Sequence, residues 1–175
     1  MKYKNIAISG KNIASGSTTL ANKLTKKLGW KFYSAGEMFR QYCNEKGWPI
    51  ERYKDVPDRV DIELDEKAKK ILETKEKIIY EGWLVGWISR DMSHVFKILC
   101  TAPLKTRIKR FANRERVGLK EARKKVIYRD KTTLTKHKRL YNISNRFDKK
   151  YFDLVLNTSK LTPEEEVKEV LKYLK

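Results

Sequence analysis

The 175-residue chain contains two cysteines, Cys43 and Cys100, far apart and in no CxxC spacing. Neither a disulfide framework nor a zinc site is indicated, and both thiols read as small core residues. Histidine is equally scarce: His94 and His137 have no second metal ligand at useful spacing, and nothing forms a Ser/His/Asp or Cys/His constellation. No apolar run approaches the ~20 residues of a membrane span, and the stretch before Gly10 is too short for a signal peptide. The expectation is therefore a cytoplasmic protein with no membrane partner. No repeat, low-complexity tract or linker interrupts the chain. Negative charge is outnumbered, with 22 Asp+Glu against 41 Lys+Arg and a formal net charge of +19. The imbalance is regional. Residues 104–150 hold 18 Lys+Arg against only Glu115, Glu121, Asp130 and Asp148, an excess of 14, whereas residues 37–81 are dense in carboxylates. Such a surface attracts phosphate-rich partners. The remaining composition, 40% hydrophobic, supports one folded domain.

What is present is an alternation of short apolar runs and amphipathic stretches. Residues 4–9, KNIAIS, form a β-branched run ending at Gly10, and Leu20, Ala21, Leu24 and Leu28 then recur at helical spacing. Residues 31–33 suggest a second strand. Ser34 is placed to cap a helix from Ala35, with Glu37 completing a capping box, and Gly47 and Pro49 end it. A third helix starts at Pro57 and Asp58 and carries Val60, Leu64, Ala68, Ile71 and Leu72 on one face. Strands are expected at 77–80, 95–100 and 153–157, with basic helices over 104–115 and from 119 to about 141. Trp83 and Trp87, four apart, read as two packing residues on one helix. Thr162, Pro163 and Glu165 start a last helix whose Val167, Val170, Leu171 and Leu174 share a face. Strands separated by helices predict an α/β protein with a parallel sheet.

The first strand-to-helix junction, SGKNIASGSTTLA, has the chemistry of a phosphate cradle. Gly10 and Gly16, with Ala14 and Ser15 between them, let backbone N–H groups turn inward at a helix N-terminus whose dipole favours an anion. Thr18 or Thr19 can offer a hydroxyl to Mg²⁺. The pattern G-x-x-x-x-G-K-S/T is not met, because Ser17 occupies the lysine position and the loop has one extra residue between its glycines. Glu81 and Gly82 end the third strand at the carboxyl edge of the sheet, where open α/β folds place ligands. A carboxylate there can order metal-bound water or meet an acceptor, or simply cap the strand.

The runs LANKLTKKLGWKFYSAGEMFR, YEGWLVGW, APLKTRIKRFANRERVGLKEARKKVIYRD and YFDLVLNTS, in that order, resemble the archaeal-type cytidylate kinases of the nucleoside monophosphate kinase superfamily. The likeness covers nearly the whole chain. It implies a three-layer P-loop fold with a five-stranded parallel sheet in the order 2-3-1-4-5. A core of residues 1–34, 77–104 and 151–175 would carry an acceptor-binding segment over 35–76 and a lid over 105–150. A hydroxyl residue at Ser17 is a family trait. The longer loop is not, and Lys11 is placed to bring an ammonium to the donor phosphates in compensation. The resemblance assigns Arg40 to the acceptor phosphate, with Ser34 and Gly36 at the helix entry and Asp61 and Asp65 toward the base or ribose. Relatives read Glu-Gly-Arg where this chain has Glu81, Gly82 and Trp83, so one phosphate clamp is missing. Arg114, Arg129 and Lys136 become the lid cations that act on the transferring phosphoryl group, with Arg107 and Arg110 on the adenine side.

The function expected from this resemblance is transfer of the ATP γ-phosphate to CMP or dCMP with Mg²⁺ by a monomer. The loop residues Gly10, Lys11, Ala14, Ser15, Gly16, Ser17, Thr18 and Thr19 would hold the donor. Alternatives are a different nucleoside monophosphate or small-molecule acceptor, or an RNA-associated P-loop protein that binds nucleic acid nonspecifically through its basic segment.

Overall fold

The computed structural model describes residues 2–48 and 56–174. Five strands, β1 (Asn5–Gly10), β2 (Lys31–Ser34), β3 (Ile78–Glu81), β4 (Val95–Thr101) and β5 (Leu154–Asn157), form one sheet in the order β2-β3-β1-β4-β5. Every pairing is parallel. Among the described residues seven α-helices accompany them: α1 (Ser17–Leu28), α2 (Ala35–Glu45), α3 (Asp58–Thr74), α4 (Val85–Ile88), α5 (Leu104–Glu115), α6 (Leu119–Tyr141) and α7 (Pro163–Tyr173).

β1, β3 and β4 are covered on both faces, which explains their continuous apolar runs. On one face Ile6, Ile8, Phe96 and Ile98 pack with Leu20, Leu24 and Val170 of α1 and α7. On the other, Ala7, Tyr80 and Val95 meet Ala68, Ile71 and Leu72 of α3. A third cluster joins α5 and α6 through Ile108, Phe111, Ala122 and Val126, and a fourth ties α2 to α3 through Cys43 and Val60. Both cysteines are buried and unbridged.

The expected elements recur with small shifts that have local causes. β3 starts at Ile78 because Lys77 sits in the left-handed region at φ 57, which a strand residue does not adopt. β1 runs one residue further, through Gly10, whose register partner on β4 is Cys100. Ser34 caps α2 by accepting from the Glu37 N–H at 3.3 Å and gives its hydroxyl proton to Glu81, but among the described residues the Glu37 side chain does not return a bond to the Ser34 N–H, so the box is half formed. The box forms in full at Thr162 and Glu165. Trp83 and Trp87 do not share a helix. The Gly82 N–H donates to Ile8 O and holds the backbone against β1 past the strand end, so α4 starts only at Val85. Trp87 is on that helix and packs on Tyr141, whereas Trp83 packs under the α5/α6 cluster. Gly47 follows α2 at φ 66, and Pro49 lies outside the described residues.

Candidate active site

Because β1 is central and the chain leaves it first to one side and then to the other, a crevice opens at the carboxyl ends of β1, β3 and β4. The loop of residues 10–19 fills the first part of it. Asn12, Ala14 and Gly16 have φ of 74, 60 and 93, so every second residue is left-handed. Such alternation turns successive N–H groups to one side and makes a concave anion site, here opening at the N-terminus of α1. Space as well as dihedral angle constrains the glycines. A Cβ on Gly10 would lie 2.6 Å from Ser15 Oγ and 2.8 Å from Ser17 Oγ, and one on Gly16 would lie 3.0 Å from Thr158 Oγ1. Ser15 Oγ is buried with no hydrogen-bond partner among the described residues, an open polar atom inside the cradle.

Glu81 links this loop to the acceptor-side helix. Ser17 donates to its Oε1 at 2.8 Å and Ser34, the cap of α2, donates to its Oε2 at 3.1 Å. Burial pushes the Glu81 carboxyl up, while the hydroxyls of Ser17, Ser34 and Thr18 and the positive charge of Arg40 pull it down. Ser17 therefore supplies no charge where the common pattern has lysine; it fixes a carboxylate instead. Thr18 and Thr19 are exposed on the first turn of α1. A Cβ on Gly36 would sit 3.4 Å from the Arg40 guanidinium and 3.8 Å from Ser34 Oγ, so Ser34, Gly36 and Arg40 surround the entry to α2. Gly82 packs so closely that a Cβ would lie 2.8 Å from that of Ala35.

Two further groups, Thr158 and Asp130, brace the loop, and neither is among the site residues expected from the sequence. Thr158, in the turn after β5, donates its hydroxyl to Ser15 O at 2.8 Å, and Arg110 of α5 donates to Thr158 Oγ1 and O at 2.8 and 2.7 Å. Asp130 of α6 accepts the Ile13 N–H on Oδ1 at 3.1 Å and Arg107 on Oδ2 at 2.7 Å, and Arg107 also donates to Ile13 O at 3.2 Å. The Ile13 side chain is buried among Ile108, Phe111, Ala122 and Val126. The tip of the lengthened loop is thus plugged into the base of the α5/α6 pair. Beside it, Lys11, Asn12, Pro103, Arg107 and Asn157 line a polar cleft of about 300 Å³.

The expected lid cations have diverse partners. Lys136 is buried against Asp61 at 2.5 Å and donates to Val56 O at 3.1 Å. Arg114 pairs with Glu115 at 2.8 Å on the surface. Arg129 is exposed on α6. Asp58, Asp61 and Asp65, three and four residues apart on α3, meet Arg139, Lys136 and Tyr141 of α6, the Tyr141 hydroxyl donating to Asp65 at 2.6 Å. The structure therefore brings together the loop, Glu81, Ser34, Gly36 and Arg40. It sets Asp61 and Lys136 against each other between α3 and α6, and no hydrogen bond or ion pair of Arg114 reaches the loop.

No helix of the described residues is long and apolar enough to cross a membrane. The sequence matches the cytidylate kinase-like family over residues 5–160. Cytidylate kinase of Thermoplasma volcanium is 36% identical over 164 residues, covering 91% of this chain and 85% of that protein. Cytidylate kinase of Natronomonas pharaonis is 34% identical over 162 residues, covering 91% and 83%. Among solved structures, an uncharacterized protein from Eubacterium ventriosum superposes with a TM-score of 0.74 at 20% identity, covering 97% of both chains. Shikimate kinase from Aquifex aeolicus superposes with a TM-score of 0.57 at 20% identity, covering 97% of this chain and 95% of that one. These superpositions establish a shared P-loop kinase fold.

Proposed function

The chain belongs to the cytidylate kinase-like family, and from that premise we propose that it transfers the γ-phosphate of ATP to CMP or dCMP, releasing ADP and the nucleoside diphosphate. One observation carries the reading at the level of the site. A single buried carboxylate, Glu81, is held by the donor loop through Ser17 and by the acceptor helix through Ser34. That arrangement supports a donor and an acceptor on either side of one strand end, the alignment in-line phosphoryl transfer calls for.

In this reading residues 35–76 form the acceptor segment and 105–150 the lid. The inward N–H groups of residues 12–16 and the Ser15 hydroxyl hold the donor phosphates, and the cleft beside Lys11 and Asn157 receives the donor nucleoside. A divalent cation, Mg²⁺, would be carried mainly by the triphosphate, with Thr18 as its protein hydroxyl and Glu81 orienting water on it. The residues fit such an ion, which keeps most of its water and takes one or two protein groups. Bound there, it would neutralise charge on the β- and γ-oxygens.

Arg40 takes the acceptor phosphate; its planar fork suits that group. Trp83, where the family resemblance leads one to expect arginine, packs against the α5/α6 cluster instead of offering a second acceptor clamp, so Arg40 bears more of the acceptor's charge. Arg129, Arg114 and Lys136 are the lid cations of this reading, with Lys136 acting through Asp61 to hold α6 over α3. We place the protein in the cytoplasm as a monomer. A P-loop RNA-associated protein without transferase activity is not favoured, since the named relatives match over 91% of the chain.

The test is a coupled assay of ADP release with each nucleoside monophosphate, with CMP or dCMP giving the highest kcat/KM. Arg40→Ala is expected to raise the acceptor KM at least tenfold while the KM for ATP changes less than twofold. Absence of acceptor-dependent ADP from every nucleotide would end the proposal. An unchanged acceptor KM in the variant would move the acceptor site elsewhere.

A further inference from the structure

Beyond nucleotide phosphorylation, we propose that the outer face of α6 is a docking site for single-stranded nucleic acid, built from Lys120, Arg123, Lys124 and Lys131 around Ile127 and Tyr128. These six residues line a shallow depression of about 520 Å³. Ile127 and Tyr128 are 42% and 48% exposed, unusual for large apolar side chains set beside each other on a helix already packed on its other side. None of the four cations makes an ion pair among the described residues. Of the two acidic residues of α6, Glu121 borders this face beside Tyr128 and is paired with Lys125, and Asp130 is turned inward to Ile13 and Arg107.

The lysines of this face lie opposite the side of α6 that meets the nucleotide site. Ala122, Val126, Thr133 and His137 define the buried side of α6. Lys124 follows Ala122 by two residues and Lys131 precedes Thr133 by two, an offset of about 200° of helical turn in each case. Lys120, Lys124 and Lys131 therefore point away from the loop of residues 10–19, whereas Arg123, seven residues before Asp130, stands at the edge of the face nearer to it. The surplus of positive charge in this region thus includes a coherent, unpaired group with no part in phosphoryl transfer.

Charge and shape select the occupant. Lys120 to Lys131 spans roughly 16 Å along the helix, a row suited to an extended polyanion. The exposed ring of Tyr128 and the flat side of Ile127, set between the cations, offer stacking contact to bases that a duplex would hide. An anionic bilayer fits poorly. Lys124 and Lys131 stand in the middle of the apolar strip rather than at its margins, so inserting Ile127 and Tyr128 into acyl chains would draw ammonium groups in with them.

The experiment measures binding of fluorescent 12-nucleotide single-stranded RNA and DNA to the full chain across a salt series, with anionic vesicles and inorganic polyphosphate as comparison probes. Four phosphate contacts give a slope of log affinity against log salt of about −3. Tyr128→Ala should weaken oligonucleotide binding about tenfold without changing that slope. The combined variant Lys120→Ala, Lys124→Ala, Lys131→Ala should reduce the slope to about −1. Both should retain the kcat/KM for nucleoside monophosphate and the thermal midpoint of the parent, which separates loss of this site from misfolding and from failure of the kinase assignment. The proposal is overturned by oligonucleotide binding that neither variant weakens, by polyphosphate competing equally while Tyr128→Ala has no effect, or by vesicle binding without oligonucleotide binding.

Discussion

At residue 158 a single hydroxyl carries three connections. Thr158 gives its proton to Ser15 O, accepts from Arg110, and packs against Gly16 closely enough to exclude any Cβ there. Replacing it with valine keeps the volume but leaves Ser15 O and an Arg110 N–H without this partner, a loss of about 1–3 kcal/mol for buried groups. Thr158→Val is therefore expected to lower the urea unfolding free energy by that amount and to raise the KM for ATP, the acceptor KM staying within twofold. An unchanged ATP KM would make the contact a matter of stability only. Thr158 lies in the YFDLVLNTS run, but its role in bracing the loop is not readable there, because its partner is 143 positions away. Glycine and serine signal a loop; the group that holds the loop from outside leaves no signal at that spacing. The backbone at Ala14 is a second case, since alanine in the left-handed region at φ 60 reads as ordinary in the sequence and is costly in the structure.

Helices and strands were legible from apolar periodicity, cap residues and charge, and their limits fall within a residue or so of the expected ones. Helix-to-helix partnership was not legible. The carboxylate stripe on α3 and the cationic rows of α6 can each be read as a face, but a face does not state what it meets. Lys136 and Asp61, read separately in the sequence as lid cation and acceptor-side carboxylate, form a buried ion pair with each other, a partnership neither helix's own pattern states. The same limit concealed Asp130. Its two oxygens join α6 to the Ile13 backbone and to Arg107, making the lengthened loop and the lid helices one assembly. Asp130→Asn weakens the tie to Arg107 and keeps an oxygen for Ile13. It should raise the KM for ATP several-fold and lower kcat, with the acceptor KM unchanged. Equal changes in both substrates' KM values, read from initial rates on a two-substrate grid, would show that the tie does not belong to the donor side.

For the molecule as a whole, two ionisable groups removed from solvent, Asp65 and His137, contribute pH dependences of opposite sign. Burial, helped by Asp61 and opposed by Tyr141, pushes the Asp65 carboxyl up to about 7, against an unfolded value of 3.8. The folded chain then binds a proton that the unfolded chain has lost, so this group's contribution to stability is full below about pH 4 and disappears as the pH rises toward 7. His137 acts oppositely. Burial, with Arg146 and Lys136 nearby, lowers it to about 3 from 6.5, so its contribution is present above pH 6.5 and lost on acidification. Asp65→Asn should thus raise the thermal midpoint relative to the parent by an amount that grows from pH 5 to pH 8. A difference independent of pH, measured by thermal unfolding in matched buffers, would place the Asp65 pKa near its ordinary value. The regional charge asymmetry was plain in the composition, whereas which cations are committed internally emerges only from the packing. The plug formed by Ile13 has its own mechanical corollary. A flap that pivots freely at its root can open while the ground beneath stays still, but here the flap is pinned to that ground, and swinging it outward must either unseat Ile13 or carry the first bend of the chain along.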